Sequence, residues 1–336
     1  MGTGHVMRML ALAQAWRDAG GEVTFVLARS TPAVEEILVR EGIRILHIVS
    51  EPGSMDDAGE TLSLLGSLRP VWVVLDGYHF LSQYQRRIRD AGFHLLFIDD
   101  YGHAPPYSAD IILNQNISAV PVLYTEREPH TRLALGTRYV LLRREFLEWP
   151  ATGRGLPDAA RNILVTFGGS DPDNATGSVL EAVEESNLQG INLTVVVGFA
   201  NRHAGDLEST VRHSKTPMRI ITGAMNMPEL MAGAHIAFSG GGTTCWELIH
   251  MGVPSIVIEL AENQHPIASE LGRRGIIQNL GDIRNITREL ISTTLENMVR
   301  NYPLCFENAQ KMRSLVDGEG TARVMAMMHR ISGEKE

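Results

Sequence analysis

The sequence predicts an α/β protein built from two doubly wound, Rossmann-like domains. Three observations carry that expectation. Short β-branched runs alternate with longer stretches of 3.6-residue apolar period along most of the chain. A Pro- and Gly-rich stretch, EWPATGRGLPD at Glu148–Asp158, interrupts the alternation, which then restarts. Glycine clusters fall where strands end and helices begin, the place such sheets use for ligand loops. With 336 residues there is enough chain for two cores. The expected division is a first domain over residues 1–147, a linker over 148–160, a second domain over 161–317 and a C-terminal helix over 318–336.

Each element follows from its local pattern. Val6, Met9, Leu10, Ala13 and Trp16 share one face of a first helix that ends near Ala19-Gly20-Gly21. Strands are expected at Val23–Leu27, Arg44–Val49, Val71–Leu75, His94–Ile98 and Asp110–Leu113, with helices near Pro32–Arg40, Asp57–Leu68 and Leu81–Ala91 between them. The second half predicts strands at Ile163–Phe167, Asn192–Val197, Met218–Ile221, His235–Phe238 and Ser255–Ile258. Its helices are expected at Ala175–Glu185, Ala204–His213, Met227–Ala232, Thr244–Met251 and Pro266–Arg274, followed from Thr287 by a helical tail broken near Pro303 and Gly318. In a doubly wound sheet the first strand is normally central and feeds the glycine turn. Here that turn arrives at Gly2 with no strand before it, which leaves neighbouring strands with unpaired backbone groups. Either the chain begins late or another segment fills the gap; the expectation is a late start.

Composition narrows the function classes. Thirty basic against 39 acidic residues leave a net charge of -9, the wrong sign for gripping a phosphate backbone, so no nucleic-acid partner is expected. The basic residues are nearly all Arg; the lysines are Lys215, Lys311 and Lys335. Cys245 and Cys305 form neither a metal site nor a disulfide framework, which fits a reducing, cytoplasmic compartment. No apolar run approaches the ~18 residues of a membrane span, so no stable membrane insertion is expected. Ala13-Gln14-Ala15 mimics a signal-peptide cleavage site, but Arg8 interrupts the apolar run before it, and Val6 stands where a myristoylation signal has Ser or Thr.

Five segments can carry chemistry. Gly2-Thr3-Gly4-His5-Val6-Met7-Arg8 opens the first helix; its partly positive end disfavours an imidazolium, so His5 is a candidate base, or simply a cap. Gly168-Gly169-Ser170, between a strand and a helix, has the geometry that cradles phosphate oxygens, but neither Walker A nor GxGxxG spacing; an ordinary turn is the competing reading. Ser239-Gly240-Gly241-Gly242-Thr243 is the strongest signal, because three glycines in a row are costly in chain entropy and rarely serve packing alone. Thr243 can cap the following helix, and Glu247 lies one turn in, where it can reach a ribose diol or merely complement the helix dipole. Asn263 and Gln264, within Glu262-Asn263-Gln264-His265-Pro266, suit recognition of hydroxyls and base edges. Asp76-Gly77-Tyr78-His79 and Asp99-Asp100-Tyr101 end consecutive strands. The acidic pair lacks further ligands, so neither metal nor other cofactor is expected. His79, His103 and His265 read as surface or packing residues, and neither cysteine sits in a nucleophile motif.

Taken in order, GTGHVMR, DGYH, FIDDYG, DIILNQN, FGGSDP and SGGGTTCWELIHMGVPSIVIELAENQ resemble the UDP-2,4-diacetamido-2,4,6-trideoxy-β-L-altropyranose hydrolases of pseudaminic acid biosynthesis, to which spore coat polysaccharide proteins are related. The C-terminal half also looks like the UDP-GlcNAc transferase of lipid II synthesis, of glycosyltransferase B-type fold. The likeness runs from Gly2 to about Gln278. It implies an inverting, metal-independent hydrolase that cuts a UDP-linked amino sugar at its anomeric carbon, with His5 as general base. It further implies that Gly168–Ser170 and Ser239–Thr243 hold the diphosphate and Glu247 the ribose. Asn263 and Gln264 would then lie beside the UDP moiety and sugar, Tyr78 would line the sugar pocket, and Gly2, Gly4 and Arg8 would flank the base, all in one interdomain crevice. The missing first strand, which in the family carries a basic and an acidic residue, is the departure. A glycosyltransferase using a UDP-amino sugar donor and a non-catalytic nucleotide-sugar-binding protein are the competing readings.

Overall fold

A computed structural model describes residues 3–149, 155–224 and 226–333. The chain divides into two compact units, one of His5–Arg144 joined by the chain from Gly318, the other of Glu145–Asp317. In chain order, α1 (Thr3–Asp18), β1 (Thr24–Leu27), α2 (Pro32–Arg40), β2 (Arg44–His47), α3 (Met55–Leu68), β3 (Trp72–Asp76), α4 (Ser82–Asp90), β4 (His94–Ile98), β5 (Ile111–Asn114) and β6 (Arg132–Leu135) build the first unit.

All strands of this unit pair in parallel, but in two sheets, β1-β2 and β3-β4-β5-β6. Among the described residues no strand joins them. Helix α1 packs against both sheets. Its Leu10 and Ala13 bury against Phe25, Val34, Leu38 and Ile43, while Ala11 and Leu12 bury against Trp72, Leu96 and Ile98. A helix with two apolar faces is what two separate sheets require of it.

The first helix differs from expectation at its start. Gly4 lies inside the first turn of α1 rather than in a turn before it, and Gly2 lies outside the described residues. Strand β6 is absent from the sequence reading because four residues at a sheet edge, only one fully buried, leave little periodic signal.

The second unit runs α5 (Arg144–Leu147), β7 (Asn162–Thr166), α6 (Ala175–Glu185), β8 (Asn192–Val197), α7 (Ala204–His213), β9 (Met218–Thr222), α8 (Met227–Gly233), β10 (Ile236–Gly240), α9 (Thr244–Met251), β11 (Ser255–Glu259), α10 (His265–Arg273), β12 (Gln278–Asp282), α11 (Arg288–Arg300) and α12 (Tyr302–Met312). Its six strands form one parallel sheet in the order β12-β11-β10-β7-β8-β9. Numbered within the unit this is 6-5-4-1-2-3, the order of a doubly wound nucleotide fold read from its far edge. Strands β10 and β11 are buried on both faces, as a sheet covered by helices on each side demands. Strand β12 escapes sequence prediction because QNLGD is polar and contains a glycine.

The final helix, α13 (Gly320–Ser332), returns to the first unit. Its Val324, Met325 and Met328 complete the core formed by Leu96, Ile98, Ile111, Leu113 and Ala134. Among the described residues no helix is long and apolar enough to cross a membrane.

Candidate functional site

In the first unit, polar residues gather at the carboxyl ends of β3, β4 and β5. Asp76 is the last residue of β3, Asp99 and Asp100 follow β4, and Asn116 follows β5. The first turn of α1 brings His5 and Arg8 to them. His5 Nδ1 lies 2.6 Å from Asp76 Oδ1. Arg8 donates through Nε to Asp76 Oδ2 at 2.7 Å and through Nη2 to Asp76 Oδ1 at 2.6 Å, then through Nη1 to Asp100 Oδ1 at 2.8 Å. Tyr78 and Asn116 donate to Asp100 at 2.8 and 3.0 Å.

This network fixes charge states. Burial alone would raise the Asp100 carboxyl, but the Arg8 guanidinium and its hydrogen bonds outweigh that and hold it at about 2. Asp76 is likewise held below its ordinary value against its burial, chiefly by Arg8. An ionised Asp76 can only accept, so the His5 nitrogen facing it, Nδ1, carries a hydrogen; in the neutral ring that leaves the lone pair on Nε2. Arg8 Nη2, also a donor, sits 3.2 Å from the same Nδ1 without a lone pair to meet. The His5 side chain remains 14% exposed.

In the second unit the sheet order changes direction between β7 and β10, which pair with each other while their following connections diverge. In open α/β sheets ligands bind outside the carboxyl ends of the strands at such a switch point. Gly168-Gly169-Ser170 follows β7 and Gly241-Gly242-Thr243 follows β10, so both glycine loops flank it. Gly168 has φ +77, a left-handed conformation that favours glycine. At Gly241 the reason is close approach: a Cβ there would stand 3.1 Å from Gln264 Cβ and 3.3 Å from Ala268 Cβ of α10.

Several expectations change in detail. Ser239 and Gly240 are the last residues of β10 rather than loop, and Ser239 is buried with its hydroxyl donating to the Gly240 carbonyl. Thr243 makes no side-chain cap to α9. Among the described residues the amides of Gly242, Thr243 and Thr244 have no recorded protein acceptor, and they lie at the positive end of α9. The other loop behaves oppositely. Asp171 accepts from the Ala175 and Thr176 amides and Asn174 from Gly177, so α6 begins already capped. The Gly168–Ser170 turn therefore offers its own amides and not a helix end.

Gln264 also differs from a simple ligand side chain. Its Oε1 accepts from the Gly241 amide at 3.0 Å and the Leu260 amide at 2.9 Å, tying the glycine loop to the end of β11. Glu247 sits half-buried in the first turn of α9, and Asn263 is exposed in a short 3-10 turn before α10. Beside them, exposed His265 places Nδ1 2.9 Å from buried Glu259, which also accepts from Asn279 at 2.7 Å. Sequence reasoning set His265 aside as surface. It also noted Asp76, Asp99 and Asp100 without finding their partners; a carboxylate at the end of an apolar strand was the available signal.

Comparison with known proteins agrees with this architecture. Residues 162–316 match the glycosyltransferase family 28 C-terminal domain. An uncharacterized protein of Methanocaldococcus jannaschii is 27% identical over 270 residues, 79% of this chain and 54% of its own. The spore coat polysaccharide biosynthesis protein SpsG of Bacillus subtilis is 30% identical over 200 residues, 59% of this chain and 58% of its own. The chain thus spans little more than half the length of these curated relatives. Among solved structures, Acinetobacter baumannii MurG matches with a TM-score of 0.66 at 16% identity, covering 97% of this chain and 96% of its own. Staphylococcus aureus MnaA, solved with UDP, matches with a TM-score of 0.69 at 11% identity, covering 98% and 94%. The fold is that of the glycosyltransferase B-type proteins, two α/β domains with parallel sheets.

Proposed function

We propose that this chain is a nucleotide-sugar hydrolase, releasing UDP from a UDP-linked acetamido sugar in the making of a surface polysaccharide. The observation that carries the hydrolytic reading is the His5–Asp76 pair, an imidazole held by a carboxylate on Nδ1 with Nε2 left as a base. The nucleotide reading rests on the two glycine loops at the switch point of the second unit, and the UDP bound to S. aureus MnaA and the polysaccharide role of SpsG are consistent with it. Resemblance to the altropyranose hydrolases favours water over a sugar acceptor.

In this mechanism the amides of residues 242–244 and the Gly168–Ser170 turn hold the diphosphate, and Glu247 takes the ribose hydroxyls. Tyr78, Asn263 and Gln264 border the sugar. Water bound at His5 Nε2 gives up a proton to that nitrogen as its oxygen bonds to the anomeric carbon. The bond from that carbon to the diphosphate oxygen breaks, and UDP leaves with the electron pair. Its developing charge is met by the amides at the start of α9. UDP is a good leaving group, so no strong acid is required. Inversion follows from attack opposite the departing diphosphate.

Purified protein incubated with UDP-sugars, with and without acceptor, tests the assignment. Free UDP without acceptor supports hydrolysis. Release only with acceptor makes the chain a transferase, and binding without release makes it a nucleotide-sugar-binding protein.

A further inference from the structure

A cavity in the first unit lies away from the residues described so far. It measures about 590 Å³ and opens between the start of β6 and the last turns of α13. His5, Asp76 and Asp100 gather at the carboxyl ends of the parallel strands, whereas Arg132 is the first residue of β6. The cavity therefore sits at the opposite end of the sheet, beside its edge strand.

Arg127, Arg132 and Arg330 line it, and Leu133, Met327 and Ile331 supply its apolar part. All three arginines are exposed, and among the described residues none has a carboxylate partner. Other arginines of this acidic chain do find one: Arg144 pairs with Asp18 and Glu41, and Arg288 with Glu181 and Glu185. Arg127 donates through Nη1 to the Tyr124 carbonyl, which steadies its fork and leaves the other N–H groups without a recorded acceptor. Thr131, also in the wall, donates its hydroxyl to the Ala109 carbonyl at 2.7 Å, so recognition there falls to the guanidinium groups.

Like charges around one cavity repel, and an anion between them removes that cost. A guanidinium fork matches phosphate oxygens two at a time, and three positive charges exceed what one carboxylate can answer. A phosphate monoester brings about two negative charges and three terminal oxygens. The apolar residues suit a hydrocarbon flank on that group, and the volume is that of a small-molecule site rather than a single ion.

We infer that this cavity binds a phosphate ester, the arginines taking the phosphate oxygens and Leu133, Met327 and Ile331 the hydrocarbon beside it. The site goes beyond the nucleotide-sugar reading and does not rest on it, since it shares no residue with the glycine loops or the His5 network. A soluble phosphate ester and a lipid headgroup both carry this chemistry.

Methyl NMR of the full chain labelled on methionine, with the Met327 signal identified through Met327→Leu, reads the cavity directly. Octyl phosphate below its micelle concentration should shift that signal saturably, at about tenfold or more lower concentration than inorganic phosphate, which lacks the flank. Octyl glucoside has the same chain and no charge, and should leave the signal in place; this comparison needs no variant. Arg132→Gln combined with Arg330→Gln should weaken octyl phosphate by about tenfold or more, as loss of charged hydrogen bonds does. Sedimentation with phosphatidylglycerol–phosphatidylcholine vesicles, lost in the double variant, assigns the lipid headgroup. Octyl phosphate binding without sedimentation assigns a soluble ester. A Met327 signal that ignores octyl phosphate, answers octyl glucoside equally, or responds alike in the double variant overturns the inference.

Discussion

Asp76 and His5, 71 positions apart, meet at 2.6 Å across the carboxyl end of β3. The contact sets which imidazole nitrogen is free, and hence what His5 can do. His5→Ala is expected to lower kcat by ~10²- to 10⁴-fold, the usual contribution of a positioned base. Asp76→Asn should come close to that loss with the imidazole still present. Its amide donates to Nδ1 and turns the hydrogen onto Nε2, the wrong tautomer. Steady-state UDP release checks both, and UDP affinity should hold steady, since the loops proposed to hold UDP lie in the second unit. Near-wild-type turnover in His5→Ala would remove the base assignment.

Arg8 neutralises two buried carboxylates, and removing it should reverse the acid response of stability. In the wild type Asp100 and Asp76 are depressed, so their contribution is present above the unfolded value of about 4 and is lost as pH falls towards 2. In Arg8→Met only the bonds from His5, Tyr78 and Asn116 still oppose burial, and both carboxyls rise. The variant should lose about 3–5 kcal/mol at pH 7 and regain part of it between pH 7 and 5 as they protonate. Thermal melts across pH 3–7 check this. Parallel profiles for the two proteins would show that the network carries no such charge coupling.

Gln264 holds the glycine loop by two backbone amides, so its loss should act on the loop before the ligand. Gln264→Ala is expected to cost about 1–3 kcal/mol of stability, because the Gly241 and Leu260 amides lose their acceptor. Gly241→Ala should perturb the same place from the other side, forcing α10 and the loop apart. Both variants are expected to weaken UDP binding by about tenfold or more, measured by titration, while an unchanged affinity would detach the loop from the diphosphate.

Glu247 is expected to read the ribose. Wild-type protein should prefer UDP over 2′-deoxy-UDP, and Glu247→Ala should bring the two affinities together. A hydrogen bond to a charged acceptor is worth about 1.5–3 kcal/mol, or roughly ten- to a hundredfold. If the variant weakens both nucleotides equally, Glu247 supports the helix and not the sugar.

By itself, the sequence determined the alternation of strands and helices and the position of both glycine clusters at strand ends. All of these are local, because a residue's burial shows in the spacing of its near neighbours. It did not determine that the loops after β7 and β10 share a switch point, that Asp171 rather than a ligand caps α6, or that Gln264 staples Gly241. Nor did it reveal the partner of His5, or the edge strands β6 and β12. Those depend on which strands lie side by side, and hydrogen bonds between residues dozens of positions apart leave no period in the chain. Strand order, fixed only when the sheets close, turned scattered aspartates and histidines into paired groups.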